Sequence, residues 1–147
     1  MKFIETKWVL LFLASVNIAC AQSYHAIAIG IKDKVCQSGK VQSTFQEDEF
    51  YFVQTGSEGE RRGDTAIRAR KSLNDMHRYD ETKIRIVSGV GLKYALIEYN
   101  KKVSGWNCTL KKYAVGFGDT PHEAVLDAVR KKNLDDKASK HTLVKTN

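Results

Sequence analysis

Tyr113-Ala114-Val115-Gly116-Phe117-Gly118-Asp119-Thr120-Pro121-His122-Glu123-Ala124-Val125-Leu126-Asp127-Ala128-Val129-Arg130-Lys131-Lys132-Asn133 joins a strand, a turn and a capped helix without interruption. Tyr113 to Phe117 is rich in β-formers and predicts a strand. Thr120-Pro121-His122-Glu123 predicts a capping box. The Thr120 hydroxyl accepts from the Glu123 backbone N–H, and the Glu123 carboxylate accepts from the Thr120 N–H. Pro121 stands at the first helical position, where its missing N–H does no harm. Ala124, Val125, Ala128 and Val129 form one apolar stripe. Arg130-Lys131-Lys132 complements the helix dipole, and Asn133 ends the helix.

A similar pattern stands upstream. Gly63-Asp64-Thr65 leads into a helix as Gly118-Asp119-Thr120 does, and each follows an extended apolar segment. Tyr24-His25-Ala26-Ile27 also matches Tyr94-Ala95-Leu96-Ile97. One reading is two strand-then-capped-helix units on a shared core. The other is chance, because capping alone favours Asp and Thr at helix starts.

The remaining segments extend the pattern. Tyr24 to Ile31 predicts a strand with Ile27, Ile29 and Ile31 on one face. Phe45 and Phe50 to Val53 mark a second extended region, with Glu47-Asp48-Glu49 between them as a solvated acidic loop. A helix opens at Asp64-Thr65 and fades near His77, with Ala66, Ala69, Leu73 and Met76 as its apolar stripe. Strands follow at Lys83 to Ser88 and Leu92 to Tyr99, with a turn at Gly89 and Gly91. The fold expected is α+β: an antiparallel sheet of about five strands with two helices, one domain over residues 22–134, and a polar tail over 135–147.

The chain has 147 residues, 24 Lys plus Arg and 17 Asp plus Glu, a formal net charge of +7. It is too apolar, at 42%, for a disordered chain, and its single Pro excludes proline-rich material. Residues 1–21 read as a secretory signal peptide. Lys2 and Lys7 make the basic start, Trp8 to Ala14 is the apolar run, and Ala19-Cys20-Ala21 is the small-residue cleavage pattern. That run is shorter than the roughly 20 residues needed to span a bilayer, and no later segment approaches it. Cys20 offers a second route, in which it is acylated and anchors the chain to a membrane as in bacterial lipoproteins. Loss of Lys2, Lys7 and Glu5 with the leader leaves 22 basic and 16 acidic residues, a net charge of +6. That charge favours anionic surfaces or partners.

Export places Cys36 and Cys108 in an oxidising compartment, and an even count predicts one disulfide between them. No catalytic residue, metal ligand set or cofactor site emerges. His25, His77, His122 and His141 lack metal-site spacing. Gly116-Phe117-Gly118 leads to a helix start, but no phosphate-binding glycine motif is present. No nucleophile elbow occurs, and no carboxylate pair stands out for glycoside hydrolysis. A double-stranded-RNA module wants a Lys cluster at the start of its last helix, and Pro121-His122-Glu123 stands there, so no nucleic acid is expected. Lys93, Lys101, Lys102, Lys111 and Lys112, with Trp106, form the candidate binding patch for a protein or an anionic envelope component.

Tyr24-His25-Ala26-Ile27-Ala28, Thr65-Ala66-Ile67-Arg68-Ala69, Tyr94-Ala95-Leu96-Ile97, and Tyr113 to Thr120 with Glu123-Ala124 and Ala128 occur in an order that resembles small exported bacterial proteins of the group called domain of unknown function 4189. The similarity spans most of residues 24–133. The resemblance implies an exported α+β domain and carries no catalytic residues with it. The function expected is a small exported binding protein: an inhibitor, a toxin-immunity protein or an envelope adaptor. The alternative is a small exported hydrolase of an envelope polymer, whose residues converge only in space.

Overall fold

The computed structural model describes residues 23–147. The leader expected at 1–21, its cleavage point and Cys20 lie outside the described residues.

In chain order the elements are β1 (Tyr24–Ser38), β2 (Val41–Thr55), α1 (Arg62–His77), a 3-10 turn (Glu81–Lys83), β3 (Ile84–Val90), β4 (Lys93–Lys102), β5 (Thr109–Gly118), α2 (Pro121–Asp135) and β6 (His141–Thr146). This is one β-β-α-β unit repeated. The sheets run β2-β1-β3 and β5-β4-β6, with every pairing antiparallel. The first strand of each unit therefore lies mid-sheet, and the helix carries the chain from one edge to the other. Strands that run parallel, such as β2 and β3, need such a crossover.

Among the described residues the expected single sheet of about five strands is thus two three-stranded sheets, six strands together. Each sheet has a helix on one face. Ala26 and Ala28 pack with Ala69 and Leu73 of α1, and Ala95 and Ile97 pack with Ala124 and Ala128 of α2. The other faces meet through Ile27, Ile29, Leu96, Tyr113 and Val115. The central strands are covered on both sides, so Ala26 to Ile29 and Ala95 to Ile97 are fully buried. Alanine faces the helix in β1, where the elements approach closely, and isoleucine fills the wider space between sheets.

The sixth strand lies in the expected polar tail. Its side chains are exposed along its whole length, so no buried face left an alternation to read. The helix before it runs on to Asp135. Lys132 is buried, and its ammonium donates to the carbonyls of Lys137 and Ser139, which ties α2 to the start of β6.

The repeat is real, but the motifs that suggested it are not equivalent. Ala26 packs on α1 as Ala95 packs on α2, so Tyr24 and Tyr94 sit one residue out of register and face opposite sides of their sheets. Thr120 caps α2 as expected, with Glu123 N–H to Thr120 Oγ1 at 3.2 Å and Thr120 N–H to Glu123 Oε2 at 3.0 Å. Gly63-Asp64-Thr65 instead lies inside the first turn of α1, which starts at Arg62 without a side-chain cap. The buried stripe of α1 is Thr65, Ala69 and Leu73, and Met76 points to solvent.

Glu47-Asp48-Glu49 is not a solvated loop. It lies within β2, and Glu47 and Asp48 are buried. The register with β1 shifts between Ile29 and Ile31, a bulge that re-aims the acidic residues. Glu47 and Asp48 accept from the N–H groups of Lys111 and Tyr113, at 3.3 and 2.7 Å. Lys112 and Lys111 donate back to the carbonyls of Gln46 and Glu49, at 2.7 and 2.9 Å. The edges of β2 and β5 thereby seal each other.

Candidate functional site

The candidate lysines come from one hairpin. In the β4–β5 register Lys102 stands opposite Thr109, Lys101 opposite Leu110 and Tyr99 opposite Lys112. Lys101, Lys102, Lys111, Lys112 and Trp106 therefore share one end of the second sheet. Lys93 stands opposite Gly118 at the other end, about 30 Å away at ~3.3 Å per residue, and does not join them.

The long β1–β2 hairpin reaches the same end. Cys36 and Cys108 form the expected disulfide, with Cα atoms 5.5 Å apart across a separation of 72 residues. The Asn107 N–H donates to the Gln37 carbonyl at 3.1 Å, and Lys34 Nζ to the Thr109 carbonyl at 2.7 Å. Phe45 meets Trp106 edge to face, ring centres 5.4 Å apart. Trp106 thus anchors the two hairpins to each other.

Three depressions surround Lys101. One of about 390 Å³ is lined by Phe45, Gln46, Lys101, Lys102, Leu110 and Lys112 among others. One of about 260 Å³ is lined by Arg85, Tyr99, Lys101, Lys112, Tyr113 and Asp135. One of about 370 Å³ is lined by Asn100, Lys101, Lys102, Asp135, Asp136 and Ser139 among others. Four cations, Arg85, Lys101, Lys102 and Lys112, border this grooved face.

Its charges are partly answered from within. Arg85 donates to buried Asp48 at 2.7 Å, and Lys101 pairs with Asp135. Tyr99 Oη donates to Asp135 Oδ2 at 2.7 Å. Partial burial alone would raise the Asp135 carboxyl, but the bonds from Lys101 and Tyr99 outweigh it and hold the group below its ordinary range. Burial first, then the neighbouring carboxylates, pushes the Tyr99 and Tyr113 phenols up, so both stay neutral donors. Among the described residues Lys102 makes no ion pair. The face can attract an anionic group through Lys102 and orient it with hydrogen-bond donors. Arg85, Tyr99, Tyr113 and Asp135 were not legible as site residues, because they come from both repeat units and meet only in the folded chain.

No histidine takes part. His25 is buried and bonded to Thr55 Oγ1 and the Gly91 carbonyl, at 3.0 and 3.1 Å. His77 stacks on Phe50 with ring centres 4.0 Å apart. His122 and His141 are exposed. Among the described residues no group of three or more His, Cys, Asp and Glu is placed to hold a metal ion.

His25 sets a pH dependence of stability. A carbonyl only accepts, so Nε2 carries the proton toward Gly91 and Nδ1 accepts from Thr55. Burial, which outweighs the backbone bonds, lowers the imidazole below 6.5. The folded chain then binds fewer protons than the unfolded chain below that pH. This stability is present above pH 6.5 and lost as pH falls, by at most ~1.4 kcal/mol per pH unit. Denaturation between about pH 7 and about pH 5 should show the fall in the wild type and a flatter profile in His25→Gln. Equal slopes would remove His25 as the cause.

Comparison with protein-family models, with curated proteins and with solved structures returned no match.

Proposed function

We propose that the chain is a non-catalytic binding protein that works outside the cytoplasm. Its grooved basic face receives an anionic partner, either an acidic protein surface or an anionic envelope component. The observation that carries this reading is the gathering of Arg85, Lys101, Lys102 and Lys112 around contiguous depressions on a face cross-linked by Cys36–Cys108. A fixed face loses little conformational entropy on binding, and complementary charge speeds encounter. The disulfide is compatible with export to an oxidising compartment. No helix among the described residues is long and apolar enough to cross a membrane. The resemblance to the exported group 4189 implies an exported α+β domain and brings no catalytic residues to carry over.

The test compares the wild type with Lys102→Glu/Lys112→Glu as bait in an envelope extract. The expected result is one stoichiometric partner that withstands raised salt, with affinity at least ~10-fold weaker for the variant, the size of one lost charge-assisted contact. Salt removes binding that is only diffuse attraction. Equal recovery by both baits would refute the face. A blank recovery together with cleavage of a cell-wall polymer would turn the reading to the hydrolase alternative.

A further inference from the structure

The two edges of the second sheet differ. On β5 side chains close four of the outward backbone groups. The N–H groups of Lys111, Tyr113 and Phe117 donate to Glu47, Asp48 and Asp127, and the Val115 carbonyl accepts from Lys131. On β6 no such closure occurs among the described residues. Among the described residues its one strand neighbour is β4, and no strand pairs with its outer edge.

The side chains of β6 are open as well. In the first unit β3 holds the corresponding place, and it buries Ile84 and packs Ile86 and Val87 into the two cores. β6 leaves Leu143 47% and Val144 38% exposed. From residue 137 to 147 the chain carries Lys137, Lys140, His141 and Lys145, with no Asp or Glu. The segment presents an open backbone ladder, two apolar side chains and three lysines that make no ion pair among the described residues.

We infer that the outer edge of β6 takes an extended acidic segment of a partner protein as the fourth strand of this sheet. Main-chain bonds supply the affinity, and alternate side chains supply the selectivity. Charge chooses the occupant. A second copy would bring two lysine-bearing strands together, and edge lysines act against such self-pairing. An acidic strand meets the same lysines favourably. The depression lined by Lys101, Lys102, Asp135, Asp136 and Ser139 opens at the start of β6, and Lys101 already pairs with Asp135 there, so Lys102 is the cation an added strand meets at that end. The inference rests on the binding reading above and specifies how the partner is held.

The probe is a synthetic peptide of alternating Glu and Val, roughly eight residues, an ordinary strand length. Two further versions carry N-methyl groups on one or the other backbone edge. Fluorescence anisotropy reads affinity, and amide hydrogen exchange reads β6. The parent peptide is expected to bind and to protect amides between His141 and Thr146. One N-methylated version should bind at least tenfold more weakly and the other unchanged. Lys140→Glu/Lys145→Glu, both at exposed positions, should weaken the parent peptide at least tenfold without changing the circular dichroism. Equal binding by all three peptides, or protection elsewhere only, would overturn strand addition. So would β6 amides already protected in a sedimenting dimer, which would seat a second copy there. Loss of the envelope partner in Lys102→Glu/Lys112→Glu with peptide binding intact would leave the β6 edge supported. Failed peptide binding with that partner retained would overturn the edge alone.

Discussion

Cys36→Ser together with Cys108→Ser is expected to lower stability by up to about 4 kcal/mol, read from the denaturant midpoint at fixed pH. The bridge closes 72 residues, a long loop, so its loss frees a large unfolded ensemble. Stability of a small domain is itself only about 5–15 kcal/mol, so the change is a large fraction of the whole. The bridge also joins the two hairpins that frame the basic face. Phe45 on Trp106 and the bond from Asn107 to Gln37 remain to hold them, at a contact that water reaches. The double variant should therefore lose partner affinity as well, and reduced wild type should match it in both measurements. A loss under about 1 kcal/mol would mean that the packing of the hairpins, and not the covalent link, restrains the chain.

Gly116→Val is expected to cost about 3 kcal/mol or more, at the upper end of overpacking, and to leave a broadened unfolding transition. Gly116 is buried in β5, where a Cβ would overlap the carbonyl oxygen of Ala124 and the backbone nitrogen of Ala128. A crowded side chain can rotate away, but helix backbone cannot. The second sheet and α2 would have to separate, which opens the core of Ala95, Ile97 and Ala114 to water. Gly63→Ala is the control. It sits in the first turn of α1 with open space around it, and should gain up to ~1 kcal/mol from helix propensity. A Gly116 variant as stable as the wild type would overturn the backbone contact between β5 and α2.

Each element was legible where its signal is local. The capping box of α2 needs only Thr120, Pro121 and Glu123, and it formed as its residues predict. The strands from Tyr24, Tyr94 and Tyr113 carry their β-formers in a row. The Cys36–Cys108 bridge followed from compartment and count. Legibility failed where a residue's partner lies far along the chain. The acids Glu47 and Asp48 look solvated until β5 is set beside β2 and offers N–H groups from Lys111 and Tyr113. Lys132 looks like a surface lysine until the carbonyls of Lys137 and Ser139 close over it. The candidate face was half legible: the hairpin lysines cluster in sequence, whereas Arg85 and Asp135 arrive from other elements.

The sequence alone determined the fold class, the two helices, the positions of most strands and the single bridge. Apolar spacing, turn chemistry and capping act within a few residues, and the two cysteines beyond the expected leader allow one pairing. Tertiary structure alone decided that the strands divide into two sheets, that the tail becomes β6, and that, among the described residues, side chains close groups on the β5 edge and none on the β6 edge. Those outcomes depend on which strand edges meet. The local pattern of Ala26 and Ile27 or of Ala95 and Leu96 says which faces are apolar, not which strand lies beside them.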